Sequence, residues 1–299
     1  MRARSPTRRG SARTGFTMLE VCVVVGILGL LAALTLPAVM GARETARRME
    51  CASNLRQILI AYHNYEQTYH EFPGFQSHSY YWDVGILPYM EVPFPVKDAS
   101  GKLLSAPESV PLYRCPTDPC AEGTLQEKSY WPNMGTTHEE RDGLYIAAGN
   151  RPVRSADVTD GLSTTSALSE RLVHLDIENP LADESLWKHR VVRTTTQFIP
   201  DLGMFAEECE LRSANPRSTL YHSAGFNHVQ TPNRNSCTNG PRVDPRSKHW
   251  MAITAASLHR GGVNVAMADG SVRFVSDAVD HAVWWAMGSR ATEDGRPSL

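Results

Sequence analysis

The sequence lacks the motifs that mark common hydrolytic chemistry. It has no GxSxG elbow to present a serine nucleophile and no HExxH pair to hold zinc on a helix. EF-hand spacing of acidic residues is absent too, which removes the commonest protein calcium loop. Basic excess is confined to the first 15 residues, which carry Arg2, Arg4, Arg8, Arg9 and Arg13 and no acid. Without that stretch the formal charge of the chain goes from −2 to −7 over the remaining 284 residues. An acidic body argues against broad nucleic-acid binding, which runs on phosphate neutralisation. Cysteine is sparse, six in 299 residues. CPTDPC has a spacer compatible with zinc, but no second cysteine pair accompanies it.

What is present is a long apolar run. GFTMLE is followed by VCVVVGILGLLAALTLPAVM, in which only Thr35, Pro37, Gly26 and Gly29 depart from strongly apolar, helix-compatible types. Roughly 20 residues at ~1.5 Å rise span the ~30 Å hydrocarbon core of a bilayer. The run is too long for a secretory h-region, and no A-x-A-like site directly follows Met40. The arginines before it read as a positive-inside signal, which places the chain beyond Met40 across the membrane. Glu20, at the head of the run, is costly near lipid and calls for a partner. Small residues four apart, Cys22/Gly26 and Gly29/Ala33, permit close helix approach, although such residues are common in membrane helices in any case.

Gly15-Phe16-Thr17-Met18-Leu19-Glu20 and the run behind it resemble the processing site of type IV prepilins and type II secretion pseudopilins. The resemblance implies cleavage by a prepilin peptidase between Gly15 and Phe16 and N-methylation of Phe16. It makes Glu20 an assembly contact, with the freed α-ammonium of Phe16 on a neighbouring subunit as its partner. Pro37 falls where many pilins carry a helix kink. The implied partners are the peptidase, other pilin or pseudopilin subunits, the inner-membrane assembly machinery and membrane lipid, with no nucleic acid. The implied location is the inner membrane, single-pass, with a periplasmic domain, or the cell surface once assembled.

Beyond Met40, Met49, Ala52, Leu55, Leu59, Tyr62 and Tyr69 recur at helical steps, and the helix is expected to end near Glu71-Phe72-Pro73-Gly74. The segment CASNLRQILIAYHNYEQTYHEFPG resembles a large bacterial family with prepilin-type N-termini and a domain of unknown function (DUF1559). Further matching pieces are GILPYME, YRCPTDP, DVTDGLS with Ser169-Glu170-Arg171, and His259 to Phe274. Leu55 departs from the family pattern, which usually has a second Asn there. His259, Asp269 and Gly270 match that family's His-x9-Asp-Gly signature. In SLHRGGVNVAMADGSVRFVSDAV the alternation on both sides of Asp269-Gly270 predicts a β-hairpin, and 280–287 a short helix. Asp269 is expected to set the turn and His259 to bond a carbonyl or carboxylate. Strands are expected over 143–146, 165–168 and 191–198, and a long loop over 207–250 where partner contacts fall.

The fold class expected is α+β and pilin-like: a long N-terminal helix, membrane-spanning in its first half, packed on an antiparallel sheet, with long loops and a C-terminal hairpin. The parts are a leader (1–15), a transmembrane half-helix (16–40), an amphipathic half-helix (41–72), an extracytoplasmic domain (73–290) and a polar tail (291–299). Five cysteines lie beyond the membrane run, so one is left over from any pairing. Cys209–Cys237 and Cys51–Cys115 are the favoured bridges, with Cys115–Cys120 the local alternative. No cofactor is expected. Asp157, Asp160, Asp269 and Asp277 offer the hard oxygens of a calcium site, as some pseudopilins use. The tryptophans Trp82, Trp131, Trp187 and Trp250 suit a carbohydrate platform or ordinary core packing. A structural, non-enzymatic subunit is the leading reading. A membrane-tethered protein that binds a glycan or protein comes second, and a hydrolase built on His259 and a nearby aspartate third.

Overall fold

The computed structural model describes residues 17–74, 81–94, 96–97, 103–105, 107–125, 127–137, 142–145, 152–173, 188–189, 191–193, 198–211, 225–240 and 251–291. Gly15 and Phe16, the leader, the tail beyond 291, Trp187 and Trp250 lie outside the described residues. Contacts divide the chain into two units, 1–46 and 47–299.

Helix α1, Met18–Tyr69, runs for 52 residues and contributes to both units. Every residue from Met18 to Met40 is exposed. In the second unit α1 buries Cys51, Leu55, Ile58, Leu59, Ala61, Tyr62 and Tyr65, a stripe at three- and four-residue steps. This stripe is rotated from the expected one. Met49 and Tyr69 are 60% and 42% exposed, because the Cys51–Cys115 disulfide turns the Cys51 face inward and Tyr69 lies in the last turn. His70 closes the helix at φ 58°, the left-handed conformation of a C-terminal cap, and Pro73 follows.

The remaining elements among the described residues are α2 (Trp82–Gly85), α3 (Leu202–Leu211), α4 (His281–Ala286), three short 3-10 turns (Leu87–Met90, Pro111–Tyr113 and Ser155–Asp157) and nine strands. The strands are β1 (Val96–Lys97), β2 (Leu103–Ser105), β3 (Tyr130–Pro132), β4 (Ser166–Glu170), β5 (Val191–Arg193), β6 (Ser236–Thr238), β7 (Met251–Ala252), β8 (Gly262–Met267) and β9 (Val272–Ser276). The central sheet is antiparallel, in the order β3-β4-β8-β9. The expected hairpin is β8–β9, with Val263 opposite Val275 and Val265 opposite Arg273. The fold is therefore α+β, a long apolar helix with an antiparallel sheet and loops.

Both faces of the sheet are covered, which is why β8 is buried along its whole length. Leu168, Ala266 and Tyr130 share a core with the buried stripe of α1. Val263, Val265 and Met267 pack on the other side with Trp131, Phe226 and Trp284 of α4. Asp280 caps α4, accepting from the amides of Ala282 and Val283. Trp82 and Trp131 are thus core residues, not a carbohydrate platform.

Two expectations are corrected. Gly143 to Tyr145 form bends and no strand, because Gly143 lies against the backbone of Met134 and Gly135. The segment 207–250 is not one long loop where it is described. It holds the end of α3 and strand β6, joined by the buried Cys209–Cys237 disulfide inside a core of its own with Phe205 and Val229. Strand β6 pairs parallel to β5 and antiparallel to β7. Asparagine side chains do there what apolar periodicity does elsewhere: Asn227 bonds the Met251 carbonyl and Asn239 the Ile199 carbonyl. Residues 212–224 and 241–250 lie outside the described residues.

Candidate functional site

Two features stand out, the head of α1 and a buried polar node under the sheet. At the head, Thr17-Met18-Leu19-Glu20 forms a capping box. The Thr17 amide and hydroxyl donate to Glu20 Oε2 at 2.8 and 2.9 Å, and Thr17 Oγ1 accepts from the Glu20 amide at 3.3 Å. Reciprocal bonding of this kind satisfies two of the amides that a helix start leaves open. The T-x-x-E spacing is visible in the sequence and supplies Glu20 with a local partner in the chain itself. The carboxylate stands exposed at the start of the one helix, among the described residues, long and apolar enough to cross a membrane. Pro37 lies inside α1.

The node is built on Glu170 of β4. Its Oε2 accepts from the Asn264 amide at 2.7 Å, and its Oε1 accepts from Asn264 Nδ2 at 2.7 Å. His259 Nε2 lies 3.3 Å from the same Oε1, with both side chains shut from solvent. The Cys51–Cys115 disulfide closes the other side, Cys115 Sγ being 3.7 Å from His259 Nε2. Tyr130 borders the node, and burial, then the nearby Glu170 charge, pushes its phenol well up. Ser257 fixes the approach to β8: its hydroxyl accepts from the His259 amide at 3.1 Å and donates to the Gly262 carbonyl at 2.7 Å. The node joins α1, the loop at 115, β4 and β8 through one carboxylate. It is a packing element, because a fully buried imidazole held by a carboxylate offers nothing to a substrate.

The signature residues divide their work. His259 bonds Glu170, whereas Asp269 sits in the β8–β9 turn and accepts from the Ser271 amide at 2.9 Å and hydroxyl at 2.7 Å. Gly270 takes φ 94° there, a conformation that costs glycine nothing. His259 therefore has a glutamate, not an aspartate, as its carboxylate partner, and the reading of a His–Asp hydrolase dyad falls.

The calcium set does not gather. Asp157 pairs with Arg154, Asp269 with Ser271, and Asp277 with Asn233. Among the described residues, two other groups bring ligand atoms within 4.8 Å of one another: Cys51, Cys115, Glu170 and His259, and Asp118, Cys120 and His189. In the first group the sulfurs are spent in the disulfide. The CPTDPC cysteines part company in the same way, Cys115 bonded to Cys51 and Cys120 a free, half-buried thiol.

A second buried charge cluster carried no sequence signal. Lys128 Nζ donates to Asp83 Oδ2 at 2.6 Å, and the Trp131 ring lies between Lys128, 4.2 Å from its centroid, and the Arg171 guanidinium, 3.5 Å away. Burial lowers the Lys128 pKa against the pull of Asp83 and brings Arg171 down to about 9.

Comparison with known proteins adds two findings. The sequence profile of the family described as a protein of unknown function (DUF1559) matches residues 40–282. Three relatives are type II secretion system core protein G. That of Pectobacterium carotovorum is 38% identical over 65 residues, 22% of this chain and 42% of the relative. That of Escherichia coli is 35% identical over 66 residues, 22% and 46%. That of Klebsiella pneumoniae is 51% identical over 41 residues, 14% and 29%. The chain spans less than half the length of these curated relatives. No solved structure shows significant similarity to the chain.

Proposed function

This chain belongs to the DUF1559 family, and from that premise we propose that it is a pilin-like structural subunit, a minor pilin or pseudopilin, and not an enzyme. It is made as a precursor, cut by a prepilin peptidase between Gly15 and Phe16, and methylated on Phe16. It is held in the inner membrane by the first half of α1, with the domain beyond it periplasmic, and then joins other subunits in a type IV pilus or a type II secretion filament.

The observation that carries the reading is the exposed apolar half of α1. From Met18 to Met40 no residue is covered by the chain itself, and Glu20 is the single charge at its head. Burying such a surface is favourable by about 25 cal/mol per Å². Lipid covers it before assembly, and the same half-helices of neighbouring subunits cover it after. The similarity to core protein G, which reaches about a fifth of this chain, supports the same role. In an apolar filament interior an unpaired Glu20 costs several kcal/mol, on the order of 3–5, so it takes the Phe16 ammonium of a neighbour as partner.

The test separates this role from helix capping. Glu20→Ala removes both, whereas Thr17→Ala removes the cap alone, worth about 1 kcal/mol. In the producing bacterium, Glu20→Ala is expected to abolish the chain in sheared surface filaments while leaving it in membranes, and Thr17→Ala to leave filaments present. Equal loss in the two variants would assign Glu20 to the cap. A second reading, a tethered binding domain exported by the prepilin route, is favoured by the family match beginning only at residue 40, and it predicts no effect of Glu20→Ala at all.

A further inference from the structure

We propose that Asp118, Cys120 and His189 form a site for a divalent metal ion of Zn²⁺ type, holding the 115–120 loop to the segment around His189. Their ligand atoms, a carboxylate oxygen, a thiol sulfur and a ring nitrogen, lie within 4.8 Å of one another. Such a site does not depend on the pilin-like role.

The histidine is set up as a ligand. His189 Nδ1 lies 2.8 Å from the Val173 carbonyl oxygen, which can only accept, so Nδ1 carries the proton. Nε2 then bears the lone pair. It is buried and has no hydrogen-bond partner among the described residues, although the side chain is 0% exposed. A buried acceptor without a donor is costly and uncommon in folded proteins. An Nδ1–H to carbonyl bond is also the outer contact that fixes metal-binding imidazoles in this tautomer.

The carboxylate is oriented in a similar way. Asp118 is 1% exposed, and its Oδ1 accepts from the Cys120 amide and its Oδ2 from the Val173 amide, both at 3.0 Å. A carboxylate has about four acceptor positions, so these two bonds leave room for a cation. The same Val173 residue thus positions both ligands, the carboxylate through its amide and the imidazole through its carbonyl. Cys120 is the thiol left over beyond the membrane run once the two disulfides have formed, and it is half-buried. Nitrogen, sulfur and oxygen donors together suit Zn²⁺ and exclude Ca²⁺ or Mg²⁺, which take oxygen alone. Three protein donors leave the fourth tetrahedral position to water.

The experiment uses the full chain in detergent, oxidised, with Cys22→Ser in the background so that Cys120 is the single free thiol. Zn²⁺ is added by titration calorimetry, and Co²⁺ as a spectroscopic probe. The proposal expects one ion per chain, a raised thermal midpoint, a thiolate-to-cobalt charge-transfer band, and slower maleimide labelling of Cys120 when Zn²⁺ is present. Cys120→Ser, at a half-exposed position, keeps the fold and is expected to remove the band and weaken Zn²⁺ at least 10-fold. His189→Gln is expected to weaken it similarly, and His63→Gln to leave it unchanged. No binding by the oxidised chain, or binding that Cys120→Ser leaves intact, overturns the proposal.

Discussion

His259 Nε2 lies 3.3 Å from Glu170 Oε1, both side chains are closed to solvent, and the Asn264 amide and carboxamide bind the same carboxylate at 2.7 Å. Glu170 thereby ties the loop before β8 to the strand itself, beside the Cys51–Cys115 disulfide of α1. Removing one partner of a buried pair leaves the others unsatisfied, a loss of about 3–5 kcal/mol. Glu170→Ala, which removes the carboxylate that faces His259 and accepts from the Asn264 amide and carboxamide, is expected near the top of that range. Glu170→Gln, which keeps an acceptor, is expected to lose about half as much. Denaturant midpoints of the full chain in detergent measure both, and equal losses would remove Glu170 from the centre of the node.

Much of this node was legible, but only in part. The His-x9-Asp-Gly spacing and the alternation around Asp269-Gly270 located the hairpin and the turn. The partner of His259 was not legible, because Glu170 is 89 residues away and its strand reads as an ordinary SALSE segment. Pairing across such distance is set by β4–β8 register, which no local pattern encodes. The second half of α1 was visible from periodicity, yet its buried face was displaced because Cys51 counted as an apolar position only once its disulfide was known. The order in the described part of 207–250 was not legible, since a disulfide with its small core and asparagine bonds to backbone carbonyls hold it without regular apolar steps. The α1 capping box is legible in T-x-x-E, in the same glutamate that the membrane run makes costly.

His228 carries the pH dependence. It is buried, its ring tilted against Trp284 with centroids 4.1 Å apart and Nε2 3.2 Å from Ser166 Oγ, and burial drives its pKa down to about 3. Its folded value is depressed below the unfolded ~6.5, so the unfolded chain binds the extra proton first. Stability from this group is therefore complete above pH ~6.5 and falls as the pH drops toward 3, by up to ~1.4 kcal/mol per unit. Burial raises the carboxyls of Asp118 and Asp142, which act in the opposite sense, since protonation relieves them. Thermal midpoints from pH 7.5 to 5 are expected to fall for the native chain and to flatten in His228→Gln. A flat profile for the native chain would contradict the assignment.

Two glycines separate crowding from backbone conformation. A methyl at Gly143 would run into the backbone of Met134 and Gly135, which has no room to give, so Gly143→Ala is expected to cost about 3 kcal/mol. Gly261 sits at φ 83° with nothing within 4 Å of an added Cβ, so Gly261→Ala is expected to cost about 1 kcal/mol, from the left-handed backbone alone. Denaturation of the two variants side by side checks the order, and a larger loss at Gly261 would reverse it.

Processing and assembly into a filament are tested most directly by the mass of the N-terminus in sheared surface material and in membranes of the producing bacterium. A processed, filament-forming subunit begins at Phe16, heavier by one methyl group, in the sheared fraction. A chain still carrying Met1 to Gly15, confined to membranes, would contradict that role.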